Sequence, residues 1–459
     1  MPTPLQLQLR FPFRPAVCSA PPPAVSRVRR PEPPGPALRL RLILRGVAGV
    51  RGLLGLLALL GPAQGWALAG PSDPLQLYAG LGYFYDDNLF RLAEGRPAFD
   101  RQRSDAARVG MAGLLFDHQY GRQRLQLQGK LSRVAFNHFE QLDYNGKDFL
   151  ARLDWQLGNR LEGKAGATYA QTLAPYTDLL SSERNLRVQK RQYLDAAWRA
   201  HPRWRLRGGV TRDQFTYELR VQQVNNRDEK AYEAGFDYLP KSGSTVGLVL
   251  RRLNGDYLNR RQVVGGSVDD SFTQDELKTR IDWKVTKISS IQALAGYARR
   301  RHRAGAADQA SGQSRDQVSG FNGRVTASLQ PREKLRATAA LWREFSAIES
   351  SLVSFSRNTG ASAGVVWNAS AKLRVDASLV SERRAYEGAA RVLAGALPSS
   401  LPGGLNDRLS TATAAATWTP RRAFALSASV SHQKRRGAVL LGSGDFKANT
   451  VSINANAQF

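Results

Sequence analysis

The feature that most constrains the fold is an alternation of period two that gathers charge on one face of an extended segment. In "LKTRIDWKV", residues 277–285, the charged face carries Lys278, Arg280, Asp282 and Lys284, and the opposite face is mainly apolar. Successive side chains of a β-strand point to opposite faces, so this segment is predicted to be a two-faced strand. Four ionisable groups cannot lie against a dry core, and we expect water on their side of the strand.

The same alternation recurs through the chain after about residue 70. It is clear in "LQLYAGLGYFY" from Leu75, "LQLQGKL" from Leu125, "FLARLDWQL" from Phe149 and "VSINANAQF" from Val451. About eighteen such segments follow one another at roughly 22-residue intervals, a spacing typical of a large antiparallel meander. The strands are predicted to start near residues 75, 105, 122, 148, 161, 190, 204, 229, 245, 275, 291, 318, 335, 358, 373, 408, 423 and 446.

Short and long connections alternate between these segments. Tight turns follow the even-numbered strands, as in "YGR" at Tyr120, "GNR" at Gly158 and "HPR" at His201, whereas long polar connections such as Ala385–Asp407 follow odd-numbered ones. Outer-membrane barrels have short periplasmic turns and long extracellular loops, and their closure satisfies every backbone hydrogen-bonding group. The sequence therefore predicts an all-β protein: a transmembrane antiparallel β-barrel of about 18 strands, in the outer membrane of a Gram-negative bacterium.

Tryptophan placement supports the same architecture. Most tryptophans after residue 69 lie within a few residues of a short turn, namely Trp155, Trp198, Trp204, Trp283, Trp367 and Trp418, whereas Trp342 lies near a long connection. A ring of Trp at one end of the strands is typical of the aromatic girdle at a membrane interface. A soluble β-sandwich has no reason to place its tryptophans at one set of turns.

Residues 1–69 differ from the rest and are predicted to be a leader. A Pro- and Arg-rich stretch precedes basic residues between Arg39 and Arg51, an apolar run over Gly52–Leu60 and an A-x-A pattern at Ala67–Ala69. This order predicts a signal peptide cleaved near Ala69, with a start codon assigned too far upstream. The apolar run is shorter than the roughly 20 residues that span a bilayer. Residues 70–459 would then form the barrel.

The predicted mature chain is strongly basic. Without residues 1–69 it has 57 Lys and Arg against 37 Asp and Glu, and no cysteine. Such charge suits nucleic acid, an anionic membrane surface or an anionic polymer, but an exported chain without a nucleic-acid-binding motif argues against nucleic acid. The alternation predicts that these basic residues line the lumen: Lys130, Arg152, Lys164, Arg207, Lys278, Arg280, Lys284, Arg324, Arg336 and Arg374.

An excess of cations in the lumen would lower the electrostatic barrier for anions. For any one of these residues, an ion pair with an adjacent strand is an equally good interpretation. The sequence shows no nucleophile with a partner and no histidine spacing that suits a metal, so no enzymatic activity, cofactor or metal is predicted.

The stretch "YDDNLFRL" breaks the alternation of the first strand. Calcium binding by Asp86, Asp87 and Asn88 would need several further oxygen ligands, and the following residues supply only Glu94. We therefore expect Tyr85, as an aromatic anchor, and the three polar residues to mark the outer rim, where Asp and Asn end a strand by bonding their own backbone.

The last predicted strand has an apolar face that ends on an aromatic residue, and it resembles the assembly signal that outer-membrane barrels present to their insertion machinery. The residues of this face are Val451, Ile453, Ala455, Ala457 and Phe459. Outer-membrane lipids and the insertion machinery are therefore expected partners.

The leader, the first strand and "YDDNLFRL" together resemble the EpsL-type outer-membrane β-barrels of exosortase/PEP-CTERM-associated extracellular polysaccharide biosynthesis, a family of β-barrel porins. The resemblance implies a channel that exports an exopolysaccharide, acidic if the basic lumen is matched to it, from periplasm to cell surface. It also implies periplasmic or inner-membrane polysaccharide synthesis proteins as partners. The alternative is a general or anion-selective porin for small-solute uptake, which a long loop folded into the lumen would favour. A plugged lumen would favour a structural barrel.

Overall fold

The computed structural model describes residues 73–263, 266–303, 317–350, 353, 355–387, 406–437 and 444–459. The predicted signal peptide and its cleavage site near Ala69 lie outside these residues. The strands are β1 (Leu75–Asp86), β2 (Asp105–Tyr120), β3 (Gln123–Phe136), β4 (Tyr144–Leu157), β5 (Leu161–Leu173), β6 (Leu186–His201), β7 (Trp204–Tyr217), β8 (Arg227–Tyr238), β9 (Thr245–Tyr257), β10 (Arg261–Val263), β11 (Gly266–Val268), β12 (Phe272–Lys284), β13 (Ser289–His302), β14 (Gln317–Arg332), β15 (Leu335–Ala347), β16 (Phe355–Asn368), β17 (Leu373–Glu387), β18 (Asn406–Arg421), β19 (Phe424–Gly437) and β20 (Phe446–Gln458).

The structure is a closed 18-stranded antiparallel barrel, which confirms the predicted fold class and the outer-membrane location. Each barrel strand pairs with its neighbours in chain order, and β1 closes the ring by pairing with both β2 and β20. The short strands β10 and β11 form a separate hairpin in the connection between β9 and β12. Short 3₁₀ turns occupy three other connections, at Phe99–Arg101, Glu140–Leu142 and Arg220–Asn225. No helix in the described ranges is long and apolar enough to cross a membrane.

The two faces of the wall differ as the alternation predicts. Outward positions carry large apolar side chains that are more than half exposed, such as Leu131, Leu250, Leu341 and Leu379. A protein surrounded by water buries such side chains, whereas a barrel in lipid presents them to the acyl chains. Because only alternate residues face lipid, the chain keeps a low mean hydropathy of −0.39.

Short turns and both ends of the described barrel lie at the same edge. Gly121, Gly158 and Gly243 occupy three of the turns with φ of 61°, 60° and 73°, a region that suits glycine. Near this edge Trp198, Trp204, Trp283, Trp367 and Trp418 are exposed at outward positions. In an outer-membrane barrel this edge is periplasmic, and the connections at the other edge are extracellular.

The largest apolar core lies among the extracellular connections. Phe90 is fully buried and contacts the rings of Phe139 and Tyr176 edge-on at centroid distances of 4.7 and 5.0 Å. Leu92 and Leu142 are buried in the same cluster, against the upper ends of β2 and β3. The connections after β1, β3 and β5 therefore pack on one another above the barrel wall.

Candidate functional site

All of the basic residues predicted to line the lumen occupy inward-facing positions of barrel strands, opposite in parity to the exposed apolar residues. Several form ion pairs on the inner wall: Lys130–Asp148 (3.2 Å), Arg152–Asp154 (2.9 Å), Arg207–Asp237 (3.9 Å), Lys278–Glu276 (2.8 Å), Arg324–Glu344 (2.7 Å) and Arg374–Asp376 (2.6 Å). Such pairs brace adjacent strands and cancel part of the positive charge. The role of these residues in conduction stays a prediction.

The other four predicted residues form no ion pair in the part of the chain that the structure describes. Within the described part of the chain, no carboxylate lies within 4.0 Å of Lys164 on β5, Arg280 and Lys284 on β12, or Arg336 on β15. Arg336 donates a hydrogen bond to the neutral Gln330 at 3.1 Å. Asp195, in register with Lys164, and Asp282, between Arg280 and Lys284, also face inward, so a net basic excess in this part of the lumen stays a prediction.

The connection between β5 and β6, residues 174–185, crosses the extracellular mouth. Asp178 on this connection lies 2.9 and 3.0 Å from Nη1 and Nη2 of Arg384, on β17. β1–β4 and β18–β20 lie between β5 and β17 around the ring, so the pair links nearly opposite walls. We call residues 174–185 the first crossing loop.

A buried charge cluster holds this loop. Arg384 also donates to Asp407 at 2.9 and 2.6 Å, and Arg435 on β19 donates to Asp407 at 2.6 Å and lies 3.5 Å from Asp178. The hydroxyl of Tyr386 donates to the same Asp407 carboxylate at 2.7 Å. Two guanidinium groups thus face two carboxylates. Buried charges are tolerated when they are paired and hydrogen-bonded in this way.

The two arginines determine the charge state of Asp178. Burial alone would raise the pKa of this carboxyl group, but the charges of Arg384 and Arg435 outweigh burial and hold the pKa below its ordinary value. Asp178 is therefore ionised at neutral pH, and the ion pairs across the mouth persist there.

A second crossing loop extends from Ile348 after β15. Glu349 pairs with Arg187 at the start of β6 at 2.6 Å, and the Ser350 carbonyl accepts a hydrogen bond from Arg261 at 3.0 Å. β7–β9 and β12–β14 lie between β6 and β15, so this loop also reaches a distant wall. Arg261 is almost fully buried and is held by Asp270 at 2.9 Å. Two loops of the chain therefore narrow the mouth from different directions.

Two buried arginines stack on aromatic rings on the inner side of the upper wall, near the second crossing loop. The guanidinium of Arg300 lies 3.7 Å from the ring centre of Phe272, and that of Arg227 lies 3.9 Å from Phe215. Arg227 pairs with Glu229 at 2.8 Å, and Arg300 donates to the Gln274 amide oxygen at 2.8 Å. Stacking fixes the planes of these cations and keeps them on the wall.

The residues that anchor the crossing loops are not among those predicted to line the lumen. Arg384 lies in "ERRAYE" and Arg435 in "KRRG", where two adjacent arginines must point to opposite faces of a strand. Parity alone therefore assigns one arginine of each pair to the lumen. Their acidic partner Asp178 lies in a loop and has no such signal.

Trp342, the tryptophan outside the predicted girdle, faces the lumen. Its indole N–H donates a hydrogen bond to Glu382, and the centre of its ring lies 4.5 Å from the guanidinium carbon of Arg324.

The stretch "YDDNLFRL" joins the first strand to the last. Asp86 is buried, pairs with Arg91 at 2.8 Å and accepts the Asn88 backbone N–H at 2.9 Å. The Asn88 side chain donates to the Lys447 carbonyl at 2.9 Å, and the Asp87 carboxylate accepts two hydrogen bonds from the residue Asn449. Beyond Tyr85, which lies in β1, these contacts turn the chain inward so that Phe90 enters the loop core.

The C-terminal residues of the predicted assembly signal belong to β20 and its end, between β1 and β19. Phe459 exchanges two backbone hydrogen bonds with Leu77, at 2.7 and 3.1 Å. Recognition of Val451, Ile453, Ala455, Ala457 and Phe459 by insertion machinery stays a prediction.

In the residues that the structure describes, no group of three or more His, Cys, Asp and Glu could hold a metal ion.

No protein-family model matches the sequence, and no curated protein matches it. The barrel is similar to solved structures of outer-membrane porins. One is Pseudomonas aeruginosa OccK2 (OpdF) in complex with glucuronate, with 10% identity, a TM-score of 0.44, and coverage of 84% of this chain and 98% of that one. P. aeruginosa OpdK with vanillate (12% identity, TM-score 0.44, coverage 84% and 99%) and a BenF-like porin from Pseudomonas fluorescens Pf-5 (10%, 0.44, 84% and 99%) are further examples.

The chain folds as the closed, 18-stranded antiparallel barrel expected of an outer-membrane protein. The predicted polysaccharide export channel is wrong. In the chain itself, both crossing loops fold into the mouth and are fastened to distant walls by ion pairs, the feature expected of a solute porin rather than of a polymer conduit. The narrower resemblance to EpsL-type barrels is not confirmed.

Proposed function

We propose that this protein is a porin that admits small solutes, with a preference for anions, from the cell exterior to the periplasm. The observation that carries the proposal is the fastening of the two crossing loops, through Asp178 to Arg384 and through Glu349 to Arg187. The lumen below them is predicted to be basic. The loops limit the size of what can enter. The basic residues below them favour one sign of charge.

The expected anion preference depends on the cations that form no ion pair within 4.0 Å in the described residues. A paired arginine presents little net field, because its carboxylate lies within a few ångströms. Lys164, Arg280 and Lys284 lie on two strands, β5 and β12, that face the lumen from different sides. Fixed charges on a low-dielectric wall raise the local concentration of counter-ions, so anions would accumulate in this part of the lumen.

No enzymatic activity, cofactor or metal is part of the proposal. Outer-membrane lipids and the insertion machinery are its expected partners, and neither nucleic acid nor a polysaccharide synthesis complex is required.

Membership of this chain in the EpsL-type family is a separate proposal about common ancestry. It rests on "YDDNLFRL" and the aromatic C-terminus, and sequences of related chains with both features and an assigned transport role would support it.

A planar bilayer measurement tests the proposal. The barrel is reconstituted, a KCl gradient is applied, and the reversal potential gives the ratio of anion to cation permeability. The combined variant Lys164→Gln, Arg280→Gln and Lys284→Gln should lose most of the anion preference while keeping its conductance within about twofold, because only charge has been removed.

The matched control removes three positive charges from the lipid side of the wall: Lys147→Gln, Lys190→Gln and Lys230→Gln. These residues share the parity of the exposed Phe149, Leu194 and Tyr232 and should leave the permeability ratio unchanged. Cation preference in the wild-type barrel, or an equal effect of both triple variants, would contradict the proposal.

A further inference from the structure

The ion pair that fastens the second crossing loop is a one-point contact. Oε1 of Glu349 accepts a hydrogen bond from Nη1 of Arg187 at 2.6 Å, and in the described residues the Arg187 side chain donates no other. Oε2 of Glu349 is buried and has no hydrogen-bond partner in the part of the chain that the structure describes. A carboxylate and a guanidinium can form two parallel hydrogen bonds, and this pair forms one.

The hydroxyl group of Tyr217 is an unused donor at the same place. Tyr217 is aligned in register with Arg187 on the neighbouring strand and is 4% exposed. Its hydroxyl interacts electrostatically with Glu349, Arg187 and Arg227, yet it has no hydrogen-bond partner of normal geometry among the described residues. A buried hydroxyl without a partner is costly, so this place can donate to one more oxygen atom.

The strand carboxylates near this place are already matched with other cations. Glu229 pairs with Arg227 at 2.8 Å, and Asp213 lies 3.8 Å from Arg191. The acid that pairs with Arg187 comes instead from the loop. The side chains of this pair, Arg187 and Glu349, are 16% and 22% exposed, so a small solute in the lumen can reach them.

The first crossing loop is fastened in a different way. Both carboxylate oxygens of Asp178 accept hydrogen bonds from Arg384, and Arg435 lies 3.5 Å from the same carboxylate. An external anion would offer these arginines no more than Asp178 already supplies. At Arg187, by contrast, an external carboxylate could form more hydrogen bonds than the internal one does.

We propose that Arg187 and Tyr217 form a binding site for a carboxylate, and that Glu349 is an internal competitor which the carboxylate of an entering solute displaces. This inference rests on the proposed function, because the solute must enter the lumen. A free carboxylate can accept two parallel hydrogen bonds from the Arg187 guanidinium and a third from the Tyr217 hydroxyl, where Glu349 accepts one. Chloride is a single atom and cannot span two donors in this way.

The position of Glu349 within the chain sets the concentration at which a solute competes. A group on a short flexible segment acts at an effective concentration in the millimolar range, so solute binding should be half-complete at millimolar concentrations. Binding of this strength lets the solute leave toward the periplasm. Because the Ser350 carbonyl is bonded to Arg261 and Ile348 is buried, displacement of the Glu349 side chain should loosen the loop without removing it.

Binding of sodium propionate to the full chain in detergent tests the inference. Saturation-transfer NMR gives the apparent affinity, and amide hydrogen exchange at residues 348–350 reports displacement. Millimolar propionate should speed this exchange several-fold, because a ligand that binds only the displaced state increases its population. Propionamide, which has the shape of propionate without its charge, and sodium chloride at the same ionic strength should leave the exchange unchanged. Residues 174–185 of the first crossing loop are the internal reference.

Two substitutions at the ion pair should have opposite effects on propionate binding. Glu349→Ala removes the competitor and should raise the apparent affinity about tenfold or more, because the binding-competent state of the wild type is a minor one. Arg187→Gln breaks the same ion pair but removes the site, and it should abolish binding. The matched control is Arg191→Gln, which removes a cation from the same face of the same strand and should bind propionate like the wild type.

Tyr217→Phe separates the binding site from the anchoring of the loop. The hydroxyl has no hydrogen bond to lose, so exchange at residues 348–350 without propionate should match that of the wild type. The affinity for propionate should fall several-fold, because the third hydrogen bond is lost. Heat-modifiable gel mobility verifies that each variant forms a closed barrel.

Three results would overturn the inference. One is unchanged exchange at residues 348–350 throughout the millimolar range of propionate. Another is a Glu349→Ala variant that binds propionate no more tightly than the wild type, which would make Glu349 only an anchor. The third is an equal loss of binding in Arg187→Gln and Arg191→Gln, which would make the effect one of total charge. The permeability ratio in KCl is measured without propionate, so this inference and the porin proposal can fail separately.

Discussion

Asp178 and Arg384 form a two-point ion pair between a surface loop and the opposite wall of the barrel, with N–O distances of 2.9 and 3.0 Å. Arg384 also contacts Asp407, and Arg435 contacts both carboxylates. The conformation of the first crossing loop therefore depends on residues more than 200 positions away in the chain. This dependence leads to the first two predictions.

Asp178→Asn should release the first crossing loop. It preserves the shape of the side chain but leaves two buried arginines with one carboxylate, and breaking a buried pair typically costs about 3–5 kcal/mol. We expect larger and noisier single-channel currents in planar bilayers. As the control, Glu218→Gln removes an acid that pairs with Arg184 near the surface, where a pair is worth about 1 kcal/mol or less. Unchanged current noise in Asp178→Asn would exclude the ion pairs as the anchor.

The pH dependence of the current provides a second prediction. The pKa of Asp178 is lowered in the folded protein. The stabilisation that its carboxylate gives to the loop is therefore complete above the ordinary aspartate pKa of 3.8, and it is lost as the pH falls through the pKa of the folded state. Wild-type currents should therefore show no loop release between pH 7 and pH 5, and release should begin only below about pH 4. Asp178→Asn should already be in the released state at pH 7. A wild-type transition near neutral pH would be inconsistent with this assignment.

Exchanging the charges of Glu349 and Arg187 should test the second crossing loop. Either Glu349→Arg or Arg187→Glu alone places like charges together and should speed amide hydrogen exchange at Ile348–Ser350. The double variant should restore protection, with a coupling of about 0.5–3 kcal/mol. If the two side chains did not interact, the effects of the two single substitutions would add in the double variant. Additive effects would therefore show that the 2.6 Å ion pair does not hold the loop.

Gly80 on β1 should be intolerant of a side chain. A Cβ atom there would overlap the Asn456 amide oxygen on β20, at the seam that closes the barrel, whereas a Cβ at Gly110 on β2 would meet nothing within 4 Å. Gly80→Val should lower the temperature at which the barrel loses its compact gel mobility, since overpacking costs about 1–3 kcal/mol. Gly110→Val is the control, and an equal shift in both variants would argue against steric overlap at the seam.

The barrel could be predicted from the sequence because its wall repeats one physical rule. The alternation in "LKTRIDWKV" and the length of the connections depend only on neighbouring residues, and the predicted strand starts agree with the observed ones within a few positions. The small hairpin of β10 and β11 was not predicted, because strands of three residues carry too short a pattern.

The site was harder to predict because it depends on contacts between distant segments. Parity correctly placed Lys278 and Arg324 on the inner wall, but it could not pair Asp178 with Arg384 or Glu349 with Arg187. A loop acid has no periodic neighbour that fixes its direction. The predicted export channel came instead from a family resemblance that rests on "YDDNLFRL" and the aromatic C-terminus, which carry no information about the loops across the mouth.

The seam between β1 and β20 also sets the order in which the protein can assemble. Asp86 accepts a hydrogen bond from Thr450 at 2.9 Å, and these residues are separated by 364 positions. A ring closed by its first and last strands cannot be completed until the C-terminal strand has arrived, and contacts between such distant residues form slowly. Until that moment the nascent sheet has two unpaired edges, and the crossing loops lack the complete mouth in which they settle. Permeability would therefore be the last property that the protein acquires during its biogenesis.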